Sequence, residues 1–214
     1  MDTVGKLLAK KLLGISAVKL QPKNPFTWAS GWKSPIYTDN RKTLSYPDVR
    51  TFVKVELTRL IAEKFGDFDV IAGVATGAIA QGALIADELG MPYVYIRSAA
   101  KDHGMGNLIE GDIKPGQKVV VVEDLVSTAK SSLEVVEVLR GAGAEVLGMV
   151  SIFTYGMKKG IDNMAQAGVK NVSLTSLDDV VCVAQKAGYI ESDEAAKILA
   201  FRNNPTSNDW MEQK

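Results

Sequence analysis

Four consecutive valines at positions 119–122 constrain the fold of this chain more than any other feature of its 214 residues. An apolar run without alternation of polar and apolar positions is typical of a central strand that helices cover on both faces. Further short apolar runs alternate with segments of helical period, and the strands and helices follow in the order 69–73, 78–89, 93–97, 118–123, 130–140 and 145–153. This alternation predicts an α/β fold with a doubly wound, mainly parallel sheet.

The remaining segments flank this alternating core. Residues 1–13 and 47–65 have helical period, whereas residues 20–46 are rich in Pro, Gly and aromatic residues, which is typical of turns and short strands. Beyond residue 156 we expect a short strand near 172–174 and three helices, at 157–167, 178–187 and 192–201. Because no linker separates these parts, we expect a single domain over 1–214, divided into an N-terminal helix and flap (about 1–46), an α/β core (about 47–155) and C-terminal helices (about 156–214).

The composition excludes several classes of protein. Lys+Arg and Asp+Glu both number 25, so the chain has no net field that would attract nucleic acid or an anionic membrane. No apolar stretch approaches the roughly 18 residues that a membrane-spanning helix needs. A single cysteine, Cys182, cannot build a disulfide framework or a zinc cluster, and residues 1–13 have the pattern of an amphipathic helix rather than an export signal. We expect a soluble, cytoplasmic protein that binds neither nucleic acid nor membrane.

Polar residues follow the valine run at the point where parallel sheets bind ligands, beyond the carboxyl end of the strand. Ser127 and Thr128, with the backbone N–H groups that follow them, can bind a phosphate at the positive end of the predicted helix. Glu123 and Asp124 repel phosphate but accept hydrogen bonds from hydroxyl groups. A phosphorylated ribose fits both halves, while ordinary strand-end charges and a serine helix cap are the alternative interpretation.

The segment 119–132 resembles the phosphoribosyl pyrophosphate (PRPP) signature of type I phosphoribosyltransferases, in which an apolar strand precedes two acidic residues and a Thr/Ser-Gly turn. Ala129 stands where that family usually has glycine. The turn at 74–78 resembles the family's pyrophosphate loop, with a plain strand-to-helix connection as the alternative, and neither a Walker motif nor a dinucleotide fingerprint is present. The resemblance implies the type I phosphoribosyltransferase fold with a small N-terminal hood, and PRPP contacts from Glu123, Asp124, Thr76, Gly77, Ser127, Thr128, Ala129, Lys130 and Ser131.

The segment 97–111 narrows the resemblance to one branch of that family. Its Lys-x-His-Gly core, with Lys101 and His103, resembles the mobile catalytic loop of orotate phosphoribosyltransferases. Arg97, Lys101 and His103 are cations suited to the pyrophosphate that gains charge as its bond to ribose breaks. On the residues alone, a structural histidine and a solvated loop lysine are the alternatives. The resemblance implies a homodimer in which this loop reaches the partner subunit's site.

The segment 26–41 resembles the base-binding flap of orotate phosphoribosyltransferases through its Ser-Gly-x-x-Ser-Pro core. The resemblance implies orotate contacts from Tyr37, Thr38, Ser127 and Tyr155, whereas simple packing of the flap is the alternative for its aromatic residues. Four positions depart from the pattern of some members. Ala29, Gly77 and Ser98 stand where some members carry a lysine. Tyr155 stands where some members carry an arginine near the orotate carboxylate. The partner of that carboxylate is therefore open.

The implied reaction transfers ribose 5-phosphate from PRPP to orotate in pyrimidine biosynthesis, giving orotidine 5'-monophosphate and pyrophosphate. The catalytic residues implied are Lys101, His103 and Asp124, and Mg²⁺ is held mainly by PRPP rather than by protein ligands. Two other functions are compatible with the PRPP signature. A purine phosphoribosyltransferase would not require the flap or the Lys-x-His-Gly loop, and a PRPP-sensing regulator would not require Lys101.

Overall fold

The computed structural model describes residues 3–97 and 108–212. Its N-terminal part begins with helix α1 (Val4–Gly14), which is capped by the Thr3 hydroxyl. A small hood follows, in which four short strands form two antiparallel pairs, the first with the fourth and the second with the third. These strands are β1 (Val18–Leu20), β2 (Phe26–Thr27), β3 (Lys33–Ser34) and β4 (Ile36–Thr38).

The central sheet is built from six strands of the described residues. They are β5 (Val70–Val74), β6 (Tyr93–Ile96), β7 (Ile109–Glu110), β8 (Lys118–Val126), β9 (Glu145–Thr154) and β10 (Asn171–Ser176). Their order across the sheet is β10–β9–β8–β5–β6–β7, and each neighbouring pair is parallel except β6 with β7. The valines at 119–122 are fully buried in β8, as expected for a central strand covered on both faces.

Two sets of helices cover the sheet. The helices are α2 (Pro47–Phe65), α3 (Ile79–Leu89), α4 (Lys130–Gly141), α5 (Lys158–Gln166), α6 (Leu177–Lys186) and α7 (Ser192–Asn203), with 3₁₀ turns at Asn40–Ser45 and Asp209–Met211. Helix α2 contacts both α1 and α3, whereas α4 contacts α5, and both sets contact strands of the sheet. The predicted α/β fold with a doubly wound, mainly parallel sheet is confirmed.

Two details of the sheet differ from the prediction. Strand β8 does not end at Glu123 but continues to Val126, because Leu125 and Val126 pair with Phe153 and Thr154 of β9. The short antiparallel strand β7 at the sheet edge was not predicted, since two residues are too few to show a pattern. The acidic pair therefore belongs to the strand itself, which fixes its backbone. Across the described ranges, no helix combines the length and apolar character needed to cross a membrane.

Candidate functional site

Glu123 and Asp124 lie in the last part of the central strand, but their side chains have different surroundings. Glu123 is buried, and its carboxyl oxygens accept hydrogen bonds from the backbone N–H of Asp124 and from the Ser132 hydroxyl, both at 2.8 Å. Burial and the neighbouring charge of Asp124 raise the pKa of Glu123 to about 8. Burial therefore disfavours the charged form of Glu123, whereas Asp124 is only partly buried and its carboxylate lies against Gly77.

The backbone of Asp124 is held by the hood. The side-chain amide of Asn40, at the start of the 3₁₀ turn after β4, donates a hydrogen bond of 2.7 Å to the backbone carbonyl of Asp124. Asn40 is 2% exposed, and the hydroxyl of Thr43 donates to its backbone carbonyl at 2.7 Å. Asn40 could not be predicted from the sequence, because the contact spans 84 positions and has no local sequence pattern. Asn40 links the hood to the acidic strand end.

The loop between β5 and α3 lies beside Asp124. Its ends are fixed by two backbone hydrogen bonds, from Ala75 to Ile96 and from Ala78 to Val74, and the peptide bond between Ala75 and Thr76 is cis. Among the described residues, the backbone N–H groups of Thr76 and Gly77 find no hydrogen-bond acceptor. A side chain at Gly77 would overlap the carboxylate of Asp124. The loop therefore presents free N–H donors next to the acidic strand end, as a pyrophosphate loop requires.

The turn between β8 and α4 has the features of a phosphate-binding loop. No acceptor within residues 3–97 and 108–212 is bonded to the backbone N–H groups of Ser127, Thr128 and Ala129. Ala129 has φ +62° and ψ +10°, the left-handed conformation, and forms the N-cap of α4 without a side-chain cap. The first helical residues, Lys130 and Ser131, are exposed. These donors converge at the positive end of a helix, which is a ready-made site for an anion.

Helix α5 holds this phosphate loop through contacts with two of its backbone carbonyls. The Asn163 side-chain amide donates a 2.8 Å hydrogen bond to the carbonyl of Thr128, and Gly160 packs so closely on the Ser127 carbonyl that a side chain would overlap it. With both carbonyls held on this side, the loop N–H groups are oriented away from α5. Sequence reasoning missed Gly160 and Asn163, which carry no motif and reach the loop only through the fold.

A pocket of about 520 Å³ opens between the hood and the carboxyl ends of β8 and β9. The structure brings together in it all four residues that the sequence predicts for the base: Tyr37, Thr38, Ser127 and Tyr155. The other lining residues are Thr27, Trp28, Ala29, Ser30 and Leu125. Ser127 lies in both this pocket and the phosphate loop, so the two candidate subsites are adjacent.

Tyr155 forms the floor of this pocket. It is 2% exposed, its hydroxyl donates to Thr38 Oγ1 at 3.1 Å, and its ring packs edge-on against Trp28 at 5.2 Å between centroids. Burial raises the pKa of the Tyr155 hydroxyl above its ordinary value, so the group stays neutral. The pocket thus combines three aromatic residues, Trp28, Tyr37 and Tyr155, with neutral hydroxyl groups, and it suits a planar ring.

Arg97 lies apart from this pocket. Its backbone N–H donates to the carbonyl of Leu108 at 2.9 Å, and its guanidinium Nη1 lies 3.6 Å from Glu110 Oε1. Arg97 lines a separate cavity of about 260 Å³, together with Ala75 of the loop after β5 and Ser131 of α4. Lys101 and His103, like Ser98, lie outside the described residues. No cluster of three or more His, Cys, Asp or Glu side chains suited to a metal occurs in the part of the chain that the structure describes.

Residues 51–184 match the phosphoribosyl transferase domain family. With the sheet and the two anion-binding loops, this match defines the class as a phosphoribosyltransferase. The orotate phosphoribosyltransferase of Porphyromonas gingivalis is 57% identical over 205 residues, which are 96% of this chain and 98% of that protein. The chain belongs to the orotate phosphoribosyltransferase family.

Solved structures agree with this assignment. The orotate phosphoribosyltransferase from Aeropyrum pernix superposes with a TM-score of 0.74 at 30% identity, covering 86% of this chain and 99% of that one. The UMP synthase of Leishmania donovani superposes with a TM-score of 0.78 at 29% identity over 92% of this chain. This chain spans 42% of that longer protein.

Proposed function

We propose that this chain transfers ribose 5-phosphate from PRPP to orotate, giving orotidine 5'-monophosphate and pyrophosphate, a step of pyrimidine biosynthesis. The observation that carries the proposal is the position of Ser127, which lies both in the phosphate loop and in the wall of the aromatic pocket. A ribose whose 5-phosphate binds the loop then has its anomeric carbon close to a ring in the pocket. Membership of the orotate phosphoribosyltransferase family supports the choice of base.

The two loops divide the phosphates of PRPP between them. The N–H groups of Ser127, Thr128 and Ala129, with the exposed first turn of α4 at Lys130 and Ser131, bind the 5-phosphate. The free N–H groups of Thr76 and Gly77 bind the pyrophosphate. Backbone donors held by a rigid sheet need no rearrangement as charge develops on the leaving group, and this lowers the barrier.

The acidic pair acts on the ribose between these loops. The exposed face of Asp124 accepts hydrogen bonds from the ribose hydroxyls and brings negative charge close to the sugar as it becomes cationic. Glu123 contacts the sugar less directly, because both of its oxygens accept hydrogen bonds from the protein. Its main contribution is to fix the backbone of Asp124. No protein nucleophile is needed, since the ring nitrogen of orotate attacks the anomeric carbon while pyrophosphate leaves.

The base lies in the pocket of Tyr37, Thr38, Ser127 and Tyr155. Tyr37 is 43% exposed at its rim and its ring lies 5.6 Å from that of Phe26, so it presents an aromatic surface to a bound ring. Tyr155 supports Thr38 through its hydroxyl. These contacts hold the ring plane and expel water from the attacking nitrogen.

Arg97, Lys101 and His103 are proposed to hold the departing pyrophosphate, with the loop supplied by the partner subunit of a homodimer. The location of Arg97 in a cavity shared with Ala75 and Ser131, between the two anion-binding loops, supports its part in this proposal. The cytoplasmic location stays a prediction from the sequence.

Mg²⁺ is proposed as the cofactor. Mg²⁺ is commonly held by substrate phosphates with one or two carboxylates rather than by an all-protein cage. The described residues fit this pattern, because Asp124 is a carboxylate beside the pyrophosphate loop. When bound, the ion neutralises charge on the pyrophosphate. Asp124 is the described carboxylate that would face the ion, while the N–H groups of Thr76 and Gly77 would bind the pyrophosphate.

The proposed function is tested by measuring pyrophosphate release from PRPP and Mg²⁺ with orotate, uracil or hypoxanthine. We expect release with orotate far above that with either other base. Release with hypoxanthine but not orotate would indicate a purine phosphoribosyltransferase. Binding of PRPP without turnover on any base would indicate a regulator.

The catalytic loop is tested with Lys101→Ala. Turnover should fall far more than PRPP affinity, because the loop acts mainly in the transition state. Unchanged turnover would remove Lys101 from the catalytic residues. Mixing Lys101→Ala with Asp124→Asn tests the shared site, since activity restored in heterodimers requires that each site draws on both subunits.

A further inference from the structure

The base pocket has no positive charge in its described lining. Its side chains are neutral throughout, from Thr27 to Tyr155. Orotate differs from uracil by a carboxylate, and a carboxylate removed from water needs a cation or several N–H donors. That partner is either a set of N–H donors in the lining or a cation that reaches the pocket from just outside it. This inference rests on the proposed function.

Lys33 is the cation best arranged to do so. It lies on β3 directly opposite Thr27 of β2, and cross-strand partners project to the same side of a hairpin. The Lys33 Nζ atom donates a hydrogen bond of 2.8 Å to Thr27 Oγ1, and Thr27 lines the pocket. The Lys33 ammonium group therefore lies at the rim of the pocket, where it is hydrogen-bonded to a residue of the lining.

Two neighbouring cations of the hood form ion pairs, whereas Lys19, opposite Tyr37 on β1, has no hydrogen bond to a residue of the pocket lining among the described residues. Arg41 forms an ion pair of 2.7 Å with Asp39, and Lys23 forms one of 3.1 Å with Glu194. Lys33, by contrast, makes no ion pair with any residue that the structure describes. Its acceptor, the neutral hydroxyl of Thr27, is a weaker partner than a carboxylate would be.

We propose that Lys33 binds the carboxylate of orotate and so selects it over pyrimidines that lack this group. Exchange of the Thr27 hydroxyl for the substrate carboxylate requires only rotation of a flexible lysine side chain. The position of Lys33 on the hairpin beside the pocket compensates for the neutral residues at Ala29 and Tyr155.

The test compares Lys33→Met, Lys33→Arg and the control Lys23→Met in steady-state assays with orotate and with uracil. Lys33→Met should lower kcat/KM for orotate by roughly 10- to 100-fold, the range expected for a charge-assisted hydrogen bond. It should leave the KM for PRPP and the activity with uracil unchanged. Lys33→Arg should retain most of the orotate activity, and Lys23→Met should behave as the wild type.

Two results would overturn the inference: a Lys33→Met enzyme with unchanged kcat/KM for orotate, or one that loses activity with orotate and uracil in equal proportion. The second would show that Lys33 supports the hood rather than the carboxylate. Failure of the proposed function is distinguishable from failure of this inference, because the wild-type protein would then not use orotate at all. That result would be seen before any variant is compared, and it would overturn the inference as well.

Discussion

The carboxylate of Asp124 fills the space that a side chain at Gly77 would occupy. A Cβ atom built on Gly77 would overlap Oδ2 and Cγ of Asp124. The pyrophosphate loop and the acidic strand end are therefore packed as one unit, and the absence of a side chain at position 77 is what allows it. A longer side chain at this position would require the Asp124 carboxylate to move.

The first prediction concerns this contact. Gly77→Ala should push the Asp124 carboxylate out of place and lower kcat/KM for PRPP by between roughly 10- and 100-fold, because ångström-scale displacements at a reacting centre have effects of this size. Gly14→Ala is the control, since a Cβ at Gly14 meets no atom within 4 Å. Steady-state kinetics with PRPP as the varied substrate provide the measurement. An unchanged value for Gly77→Ala would show that the carboxylate position is unimportant.

The strands could be predicted from the sequence because continuous apolar runs identify strands buried on both faces, as at residues 119–122. The grouping of Tyr37, Thr38, Ser127 and Tyr155 in one pocket was also accessible, through the resemblance of separate segments to one family. The residues that support the site could not be predicted in this way. Asn40 reaches Asp124 across 84 positions and Asn163 reaches Thr128 across 35, and such contacts exist only once the chain has folded.

A second prediction follows from the backbone of Ala129, whose φ is +62°. A β-branched residue is strained in this conformation, so Ala129→Val should lower the free energy of unfolding by about 1–3 kcal/mol and raise the KM for PRPP. Ala129→Gly should retain both properties, because glycine adopts positive φ without strain. Urea unfolding and PRPP kinetics test this pair. Equal behaviour of the two variants would contradict the strain argument.

The third prediction tests the link between the hood and the strand end. Asn40→Ala removes the donor to the carbonyl of Asp124 and should cost about 1–3 kcal/mol of unfolding free energy, the usual penalty for an unsatisfied buried acceptor. The KM for PRPP should rise as well, because the backbone of Asp124 loses its anchor. Asn24→Ala, at an exposed position of the hood, is the control. If stability fell without any change in KM, Asn40 would support the fold alone.

The last prediction concerns Glu123, whose pKa is raised to about 8 from an ordinary value near 4.5 by burial and by the charge of Asp124. The folded state then binds a proton that the unfolded state releases, so the stabilisation is complete below about pH 4.5 and is lost as pH rises towards 8. In Glu123→Gln, the amide oxygen can accept from the Asp124 N–H as Oε1 of Glu123 does, whereas the amide nitrogen only donates, so the Ser132 hydroxyl must turn from donor to acceptor. The glutamine side chain does not titrate.

The unfolding free energies of the wild type and of Glu123→Gln should therefore depend differently on pH. Urea unfolding at pH 5.5 and at pH 9 should show wild type losing stability relative to the variant at the higher pH, by on the order of a few kcal/mol, since each pKa unit corresponds to about 1.4 kcal/mol. The control Glu145→Gln, at an exposed position of β9, should show no such divergence. Parallel pH profiles for wild type and Glu123→Gln would mean that Glu123 ionises normally in the folded protein, with its charge compensated by the hydrogen bonds from Asp124 and Ser132.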